Sequence, residues 1–253
     1  MNISLRTRPP TVPAPTAATD LPDRSTHISM RRVSKTYTTG DVPFTALDEV
    51  DLAVRRGEFV AVVGPSGSGK STLLNLITAI DRPTDGQVLV GGVDIGALTE
   101  NQAARWRGRH LGVIFQFFQL LPMLSLADNV MLPMDLCDVH ARRDRPDVAR
   151  ELLGSVGLAD HTDKLPSQVS GGQQQRAAIA RALANDPELV IGDEPTGNLD
   201  SASAASMMAL FDTLVAQGRT VVLVTHDPQL AARAGRVVRV QDGSLGDGTG
   251  GLR

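Results

Sequence analysis

Apolar and polar residues begin to alternate near the start of the ordered pattern. Ile28 and Met30 stand between polar neighbours, and Val50, Leu52 and Val54 do the same, as in strands with one buried face. Arg56-Gly57 marks a turn. The apolar run Phe59-Val60-Ala61-Val62-Val63 then predicts a buried strand, and Leu73-Leu74-Asn75-Leu76-Ile77 a helix. Asp85-Gly86 and Gly91-Gly92 read as turns around a strand at residues 87–90. Thr99 with Gln102 three residues on has the spacing of a capping box and predicts a helix start. Leu111-Gly112-Val113-Ile114-Phe115 reads as another buried strand.

From 117 to 183 the strand signals vanish. Helical spacing appears at 127–134 and 148–156, and Ser170-Gly171-Gly172 opens a segment that is helical over 177–184. Strand signals return at Leu189-Val190-Ile191, followed by a helix over 201–216 capped by Asp200 and ended by Gly218, and a strand over 220–225. Asp227-Pro228 is a cap-plus-proline helix start. Strands alternating with helices predict an α/β fold, with a β-rich start and a helical insertion. The expected organisation is a Pro/Thr/Ala-rich tail at 1–25 and one domain over 26–253. Within that domain, a core over 26–116 and 184–253 is interrupted by a helical lobe over 117–183.

Composition narrows this picture. A chain of 253 residues can bury a substantial core. The formal net charge of −3 gives no basic signal for nucleic acid. A lone cysteine, Cys137, allows no intrachain disulfide and fits a reducing compartment. Nothing approaches the ~18 consecutive apolar residues of a membrane span, and the N-terminus lacks the apolar core of a signal peptide. Action at a membrane would therefore need spans from another chain. The cluster Arg142-Arg143-Asp144-Arg145 reads as a solvated charge run.

Candidate chemistry begins at Gly64-Pro65-Ser66-Gly67-Ser68-Gly69-Lys70-Ser71-Thr72, which fits G-x-x-x-x-G-K-[ST] between a strand and a helix. Its glycines let successive N–H groups turn toward phosphate oxygens, and the helix behind presents its positive end to the same anion. Lys70 can reach the β- and γ-phosphates, and the Ser71 hydroxyl can ligate Mg²⁺. Tyr37 suits either a platform for a nucleobase or the rim of a core. Gln116, at the end of a strand, could reach Mg²⁺ or an attacking water, or be a loop residue. Asp193-Glu194 ends an apolar strand, where Asp193 is placed to hold Mg²⁺ and Glu194 is free to act on the nucleophile. His226 ends the next strand, level with Gln116 and Asp193, which favours a γ-phosphate contact. Ser170-Gly171-Gly172-Gln173 offers a second anion site at a helix start. One nucleotide within one subunit does not need it, which points to sharing between two subunits.

The ordered set of the Lys70-Ser71 loop, Gln116, Ser170-Gly171-Gly172-Gln173, Asp193-Glu194 and His226 resembles the ATP-binding-cassette (ABC) ATPases over nearly all of residues 27–241. Val169 where leucine is usual, and Gly192 where a larger residue is usual, are departures; glycine weakens a strand, which puts local rigidity in question. Gly192-Asp193-Glu194-Pro195-Thr196-Gly197-Asn198-Leu199-Asp200 and Phe115-Gln116-Phe117-Phe118-Gln119-Leu120-Leu121-Pro122 resemble the lipoprotein-releasing, macrolide-exporting and cell-division branch.

The resemblance implies a phosphate-loop (RecA-like) core with an N-terminal antiparallel β subdomain and an inserted α-helical subdomain. It implies ATP and Mg²⁺ as ligands, with the base stacked on Tyr37. Glu194, His226 and Lys70 would be catalytic, and Ser71, Gln116 and Asp193 would lie at the metal. Ser170 to Gln173 would contact the ATP of a second copy, and Asp200 would couple the two copies. A separate membrane permease with large extracytoplasmic domains would be the partner, placing the chain at the cytoplasmic face of the plasma membrane. The work would be export, lipoprotein release or mechanical transmission, with control of a cell-wall enzyme as the alternative. Translation and DNA-repair ATPases fit less well, since there is one cassette and no sustained heptad pattern.

Overall fold

The computed structural model describes residues 25–40, 42–197 and 199–247. The expected tail at 1–25 lies, except for Ser25, outside them. The chain opens with two long strands, β1 (Thr26–Thr39) and β2 (Val42–Arg55). After β3 (Phe59–Val63) and α1 (Lys70–Ile77) come β4 (Asp85–Val90), β5 (Val93–Asp94), α2 (Glu100–His110) and β6 (Leu111–Ile114). The next elements are helical: α3 (Leu126–Cys137), α4 (Arg145–Ser155), two single 3-10 turns and α5 (Gly171–Ala182). Then follow β7 (Leu189–Asp193), α6 (Ser201–Ala216), β8 (Thr220–Val224), α7 (Pro228–Arg233), β9 (Arg236–Gln241) and β10 (Ser244–Asp247). Among the described residues no helix is long and apolar enough to cross a membrane.

Two sheets form. One is antiparallel, in the order β2-β1-β4-β5. The other runs β10-β9-β3-β8-β7-β6, parallel from β9 to β6, with β10 antiparallel at its edge. Helix α1 lies between them. Its Leu73, Leu76 and Ile77 share one core with Ile28, Met30 and Val54 of the antiparallel sheet and Val60 and Val62 of the parallel one. The opposite side of the parallel sheet packs Val190, Val221 and Leu223 against Met207, Phe211 and Leu214 of α6 and Ile179 of α5. A third core joins Val130 and Met134 of α3, Ala149 and Leu153 of α4, and Ala177 and Ala180 of α5. Helix α5 thus belongs to two cores.

Local chemistry sets the element ends. Thr99 caps α2 with the full reciprocal box to Gln102, and Asp200 and Asp227 cap α6 and α7 by accepting from Ser203 and Gln229 backbone N–H groups. The expected single buried face at the start of β1 is not what forms: His27 and Ser29 are buried along with Ile28 and Met30. The His27 ring reaches the parallel sheet, 2.6 Å from the Thr220 hydroxyl, and stitches the two sheets together.

Three further readings need correction. Helix α5 begins at Gly171, six residues before the expected start, because Ser170 accepts from the Gln173 N–H while the Gln173 side chain accepts from the Ser170 N–H. The strand before Gln116 ends at Ile114, and Phe115 is exposed. Arg145 is not solvated charge. It is buried, with ion pairs to Asp135 at 2.6 Å and Asp138 at 2.5 Å, both at the C-terminal end of α3 where a cation is favoured.

Candidate functional site

The loop from β3 to α1 is shaped by what its glycines touch. A Cβ on Gly64 would stand 2.1 Å from the Val240 carbonyl oxygen, and one on Gly69, at φ +108°, 2.5 Å from that of Ala46. Neither position admits a side chain without moving backbone. No side chain caps α1, so its first N–H groups face outward with the positive end of the helix dipole. Lys70 folds back over the loop and donates to the Gly64 and Pro65 carbonyls at 2.9 and 2.7 Å. Ser68 is buried.

The loop forms one wall of a cavity of about 750 Å³. Gly64, Ser66, Gly67, Gly69, Lys70, Ser71 and Thr72 line it on one side. Gln116, Asp193, Glu194 and His226 line it at the ends of the parallel strands, and Tyr37, Phe44 and Ala46 at the antiparallel sheet. The crevice lies beyond the C-terminal ends of β3, β7 and β8, where open α/β sheets bind ligands.

The two carboxylates differ. Asp193 ends β7 half-buried. Burial raises its pKa, the Glu194 charge adds to this, and Lys70 partly offsets both. Glu194 sits in left-handed backbone at φ +49°, a region that costs a non-glycine residue roughly 1–3 kcal/mol. Its N–H donates to the Val224 carbonyl at 2.9 Å, and its own carbonyl accepts from Gly197 at 3.1 Å. This turn brings the side chain to His226, with Nδ1 2.5 Å from the carboxylate. The carboxylate is largely covered while the imidazole is exposed. Gly192 has a packing reason: a Cβ there would stand 2.6 Å from Leu223 Cδ2.

Tyr37 is fixed from behind. Its hydroxyl donates to Asp81 at 2.9 Å and meets the Thr72 side chain, while Lys35 lies 4.8 Å above the ring centre and pairs with Asp81 at 2.7 Å. Burial raises the pKa of the phenol. Phe44, directly opposite Tyr37 in the β1–β2 ladder, also lines the cavity although it is 59% exposed. Sequence reading missed it. The usable signal was an aromatic residue in the strand that follows Tyr37, but only the hairpin register brings the two together.

Ser170 to Gln173 and Asp200 do not line this cavity. They form a second cluster. A Cβ on Gly172 would meet Ser203 Oγ at 2.6 Å, and that hydroxyl donates to the Asp200 carboxylate at 2.7 Å.

Comparison with known proteins agrees with this geometry. Residues 47–197, more than half of the chain, match the family described as ABC transporter. The lipoprotein-releasing system ATP-binding protein LolD of Anaeromyxobacter dehalogenans is 48% identical over 219 residues, covering 86% of this chain and 92% of that protein. The macrolide export ATP-binding/permease protein MacB of Hyphomonas neptunium is 44% identical over 218 residues, covering 86% of this chain and 34% of that protein. The dimeric post-hydrolysis structure of the ATP-binding cassette MJ0796, bound to ADP and phosphate, superposes with a TM-score of 0.81. It is 38% identical and covers 88% of this chain and all of that one. A phosphate loop facing strand-end carboxylates and a histidine, on a chain with these relatives, belongs to the ATP-binding ATPases of the ABC transporter family.

Proposed function

We propose that the 750 Å³ cavity is the ATP site, that two copies sandwich two ATP molecules, and that closure drives a separate membrane permease. The observation that carries the reading is the Glu194–His226 contact held across the cavity from Lys70. Glu194 is the general base, orienting and deprotonating water. His226 and Lys70 hold the γ-phosphate, and Tyr37 stacks on the base with the ring face not covered by Lys35.

Among the described residues no group of three His, Cys, Asp or Glu side chains could hold a metal. The Ser71 hydroxyl, the Asp193 carboxylate and the Gln116 amide instead offer hard oxygen donors beside the phosphate loop, the donor set Mg²⁺ takes alongside phosphate oxygens. When bound, Mg²⁺ offsets charge on the phosphates. Ser170, Gly171, Gly172 and Gln173 serve the ATP of the second copy, and Asp200 couples the copies, in line with the dimeric cassette named above. The two-fold pairing this needs is the commonest closed assembly.

Residues 117–183 act as a helical lobe moved through Gln116. Between the lobe and the core lies a groove of about 400 Å³, lined by Ile80, Val113, Phe115, Gln119, Pro133 and Arg181 among others. It suits a short cytoplasmic helix of the permease, and on this reading the chain works at the cytoplasmic face of the membrane. Beside it Phe117 and Met123 are 68% and 86% exposed, and Leu121 is exposed while Leu120 packs against the helical core. Leu121→Asp is therefore expected to fold, bind ATP and lose recovery in the membrane fraction; retained recovery refutes docking through this segment.

The test of the chemistry is Glu194→Gln. It is expected to keep ATP binding and lower turnover by about 10²–10⁴. Hydrolysis near the wild-type rate would remove Glu194 from its role.

A further inference from the structure

Gln175, on α5, is fully buried, and its Nε2 donates to the Pro195 carbonyl at 2.7 Å. Its Oε1 is buried with no hydrogen-bond partner. A buried amide that leaves its own oxygen unpaired is costly compared with an apolar side chain of the same size. Whatever keeps Gln175 here therefore involves the Nε2 bond.

The acceptor belongs to the residue after Glu194, on the turn that holds Glu194 at φ +49°. Among the hydrogen bonds of the described residues, three hold the backbone of Glu194, Pro195 and Gly197 in that turn. Two, from Glu194 N–H to Val224 and from Gly197 N–H to Glu194, are made by the turn itself and its neighbouring strand. The third comes from α5, the helix that Ser170 caps. Helix α5 packs into two cores, through Ile179 on one side and Ala177 and Ala180 on the other, so its position is fixed on both sides.

We infer that Gln175 is a positioning residue for Glu194, fixing the strained turn from the helix whose first residues meet the partner copy's nucleotide. Seating of Ser170 on that nucleotide then bears on the general base of the same chain. The inference rests on the proposed role of Glu194 and on the two-copy sandwich.

The experiment is a double-mutant cycle on the purified chain, reading kcat, KM for ATP, ATP affinity and thermal unfolding. Gln175→Leu keeps bulk and removes the donor. It is expected to lower kcat by roughly 10–100-fold, as small misplacements of catalytic groups do, with KM and affinity within about threefold of wild type. In the Glu194→Gln background the same change is expected to add almost nothing, because a residue acting through another loses its effect when that other is gone. A kcat within twofold of wild type overturns the inference, and so does a loss of equal size in the Glu194→Gln background. Gln175→Met, unbranched, replaces leucine if that variant does not fold. Collapse of both variants with loss of ATP binding also overturns the inference, leaving a packing role. If Glu194→Gln itself stays active, the base assignment fails whatever Gln175 does.

Discussion

The helix after the phosphate loop and the helix after Ser170 both open on glycines and both present free N–H groups, yet only the first meets its counterparts within the same chain. At α1, Lys70, Asp193, Glu194, His226 and Tyr37 converge on one cavity, drawn from segments far apart in sequence. At α5, the serine is turned inward to its own Gln173, and the neighbours are Ser203 and Asp200 of the next helix start. The difference teaches where completeness ends. The first region gathers donors and acids on one cavity of one chain, and the second, on the proposed reading, serves the nucleotide of a second copy. The proposed sandwich of two copies would use both.

The comparison is broken most directly at Ser170. Ser170→Arg is expected to cut turnover by at least about 10²-fold, the scale of removing a transition-state contact, while leaving the ATP affinity of the purified chain nearly intact. Lys70→Ala is expected to lose that affinity. Isothermal titration with ATP beside steady-state hydrolysis decides. If Ser170→Arg weakens ATP binding as severely as Lys70→Ala, both helix starts serve one nucleotide in one chain.

A second prediction sharpens what holds the first region together. His27 joins the sheet that carries Tyr37 to the sheet that carries the phosphate loop. The Thr220 hydroxyl accepts from the Gly57 N–H and lies 2.6 Å from His27 Nδ1. Burial, with the nearby Arg56 charge, lowers the pKa of His27 to about 4. The unfolded chain binds its proton near 6.5, the folded chain only near 4. Above pH 6.5 both states are neutral and the group contributes no slope. Between pH 6.5 and 4 the unfolded state holds more protons, so stability falls with falling pH, by up to about 3 kcal/mol in total. Urea unfolding at pH 7.5 and 5.0 should show His27→Gln losing less stability on acidification than wild type. An equal loss removes His27 from the account.

The two regions were also unequally legible in the sequence. The phosphate loop is local: nine consecutive residues state the turn, the lysine and the helix start. The capping box at Thr99 is local too, and it formed. What escaped depends on partners distant in sequence or on register. Phe44 lines the cavity only because the hairpin sets it opposite Tyr37. Arg145 sits in a charge run, and nothing in that run shows that α3 ends with Asp135 and Asp138 against it. Gln175 is one of three consecutive glutamines, and only the path of the Glu194 turn singles it out.

The smallest effects expected come from two glycines that face the same obstacle in the two regions. A Cβ on Gly192 would stand 2.6 Å from Leu223 Cδ2, and one on Gly172 2.6 Å from Ser203 Oγ. Each obstacle is the end of a side chain and can move. At Gly192, alanine gains about 0.5–1 kcal/mol from lost unfolded-state freedom but overfills a core at a typical cost of about 1–3 kcal/mol. The net is a loss of about 1 kcal/mol, or about 2–4 °C in Tm for a chain of this size. Leu223 is buried between strands and has little room to yield. Turnover should fall as well, because Leu223 precedes Val224, whose carbonyl holds the Glu194 N–H. At Gly172 the obstacle is a hydroxyl already bonded to Asp200 at the start of a helix, away from the core. There alanine should leave Tm within about 1 °C, the size of a minor surface change, and show its effect in turnover alone. Thermal unfolding and hydrolysis rates of the two variants side by side test whether the first region is limited by packing and the second by its facing copy. Equal Tm losses would show that the Ser170 region is as much a finished core as the phosphate loop.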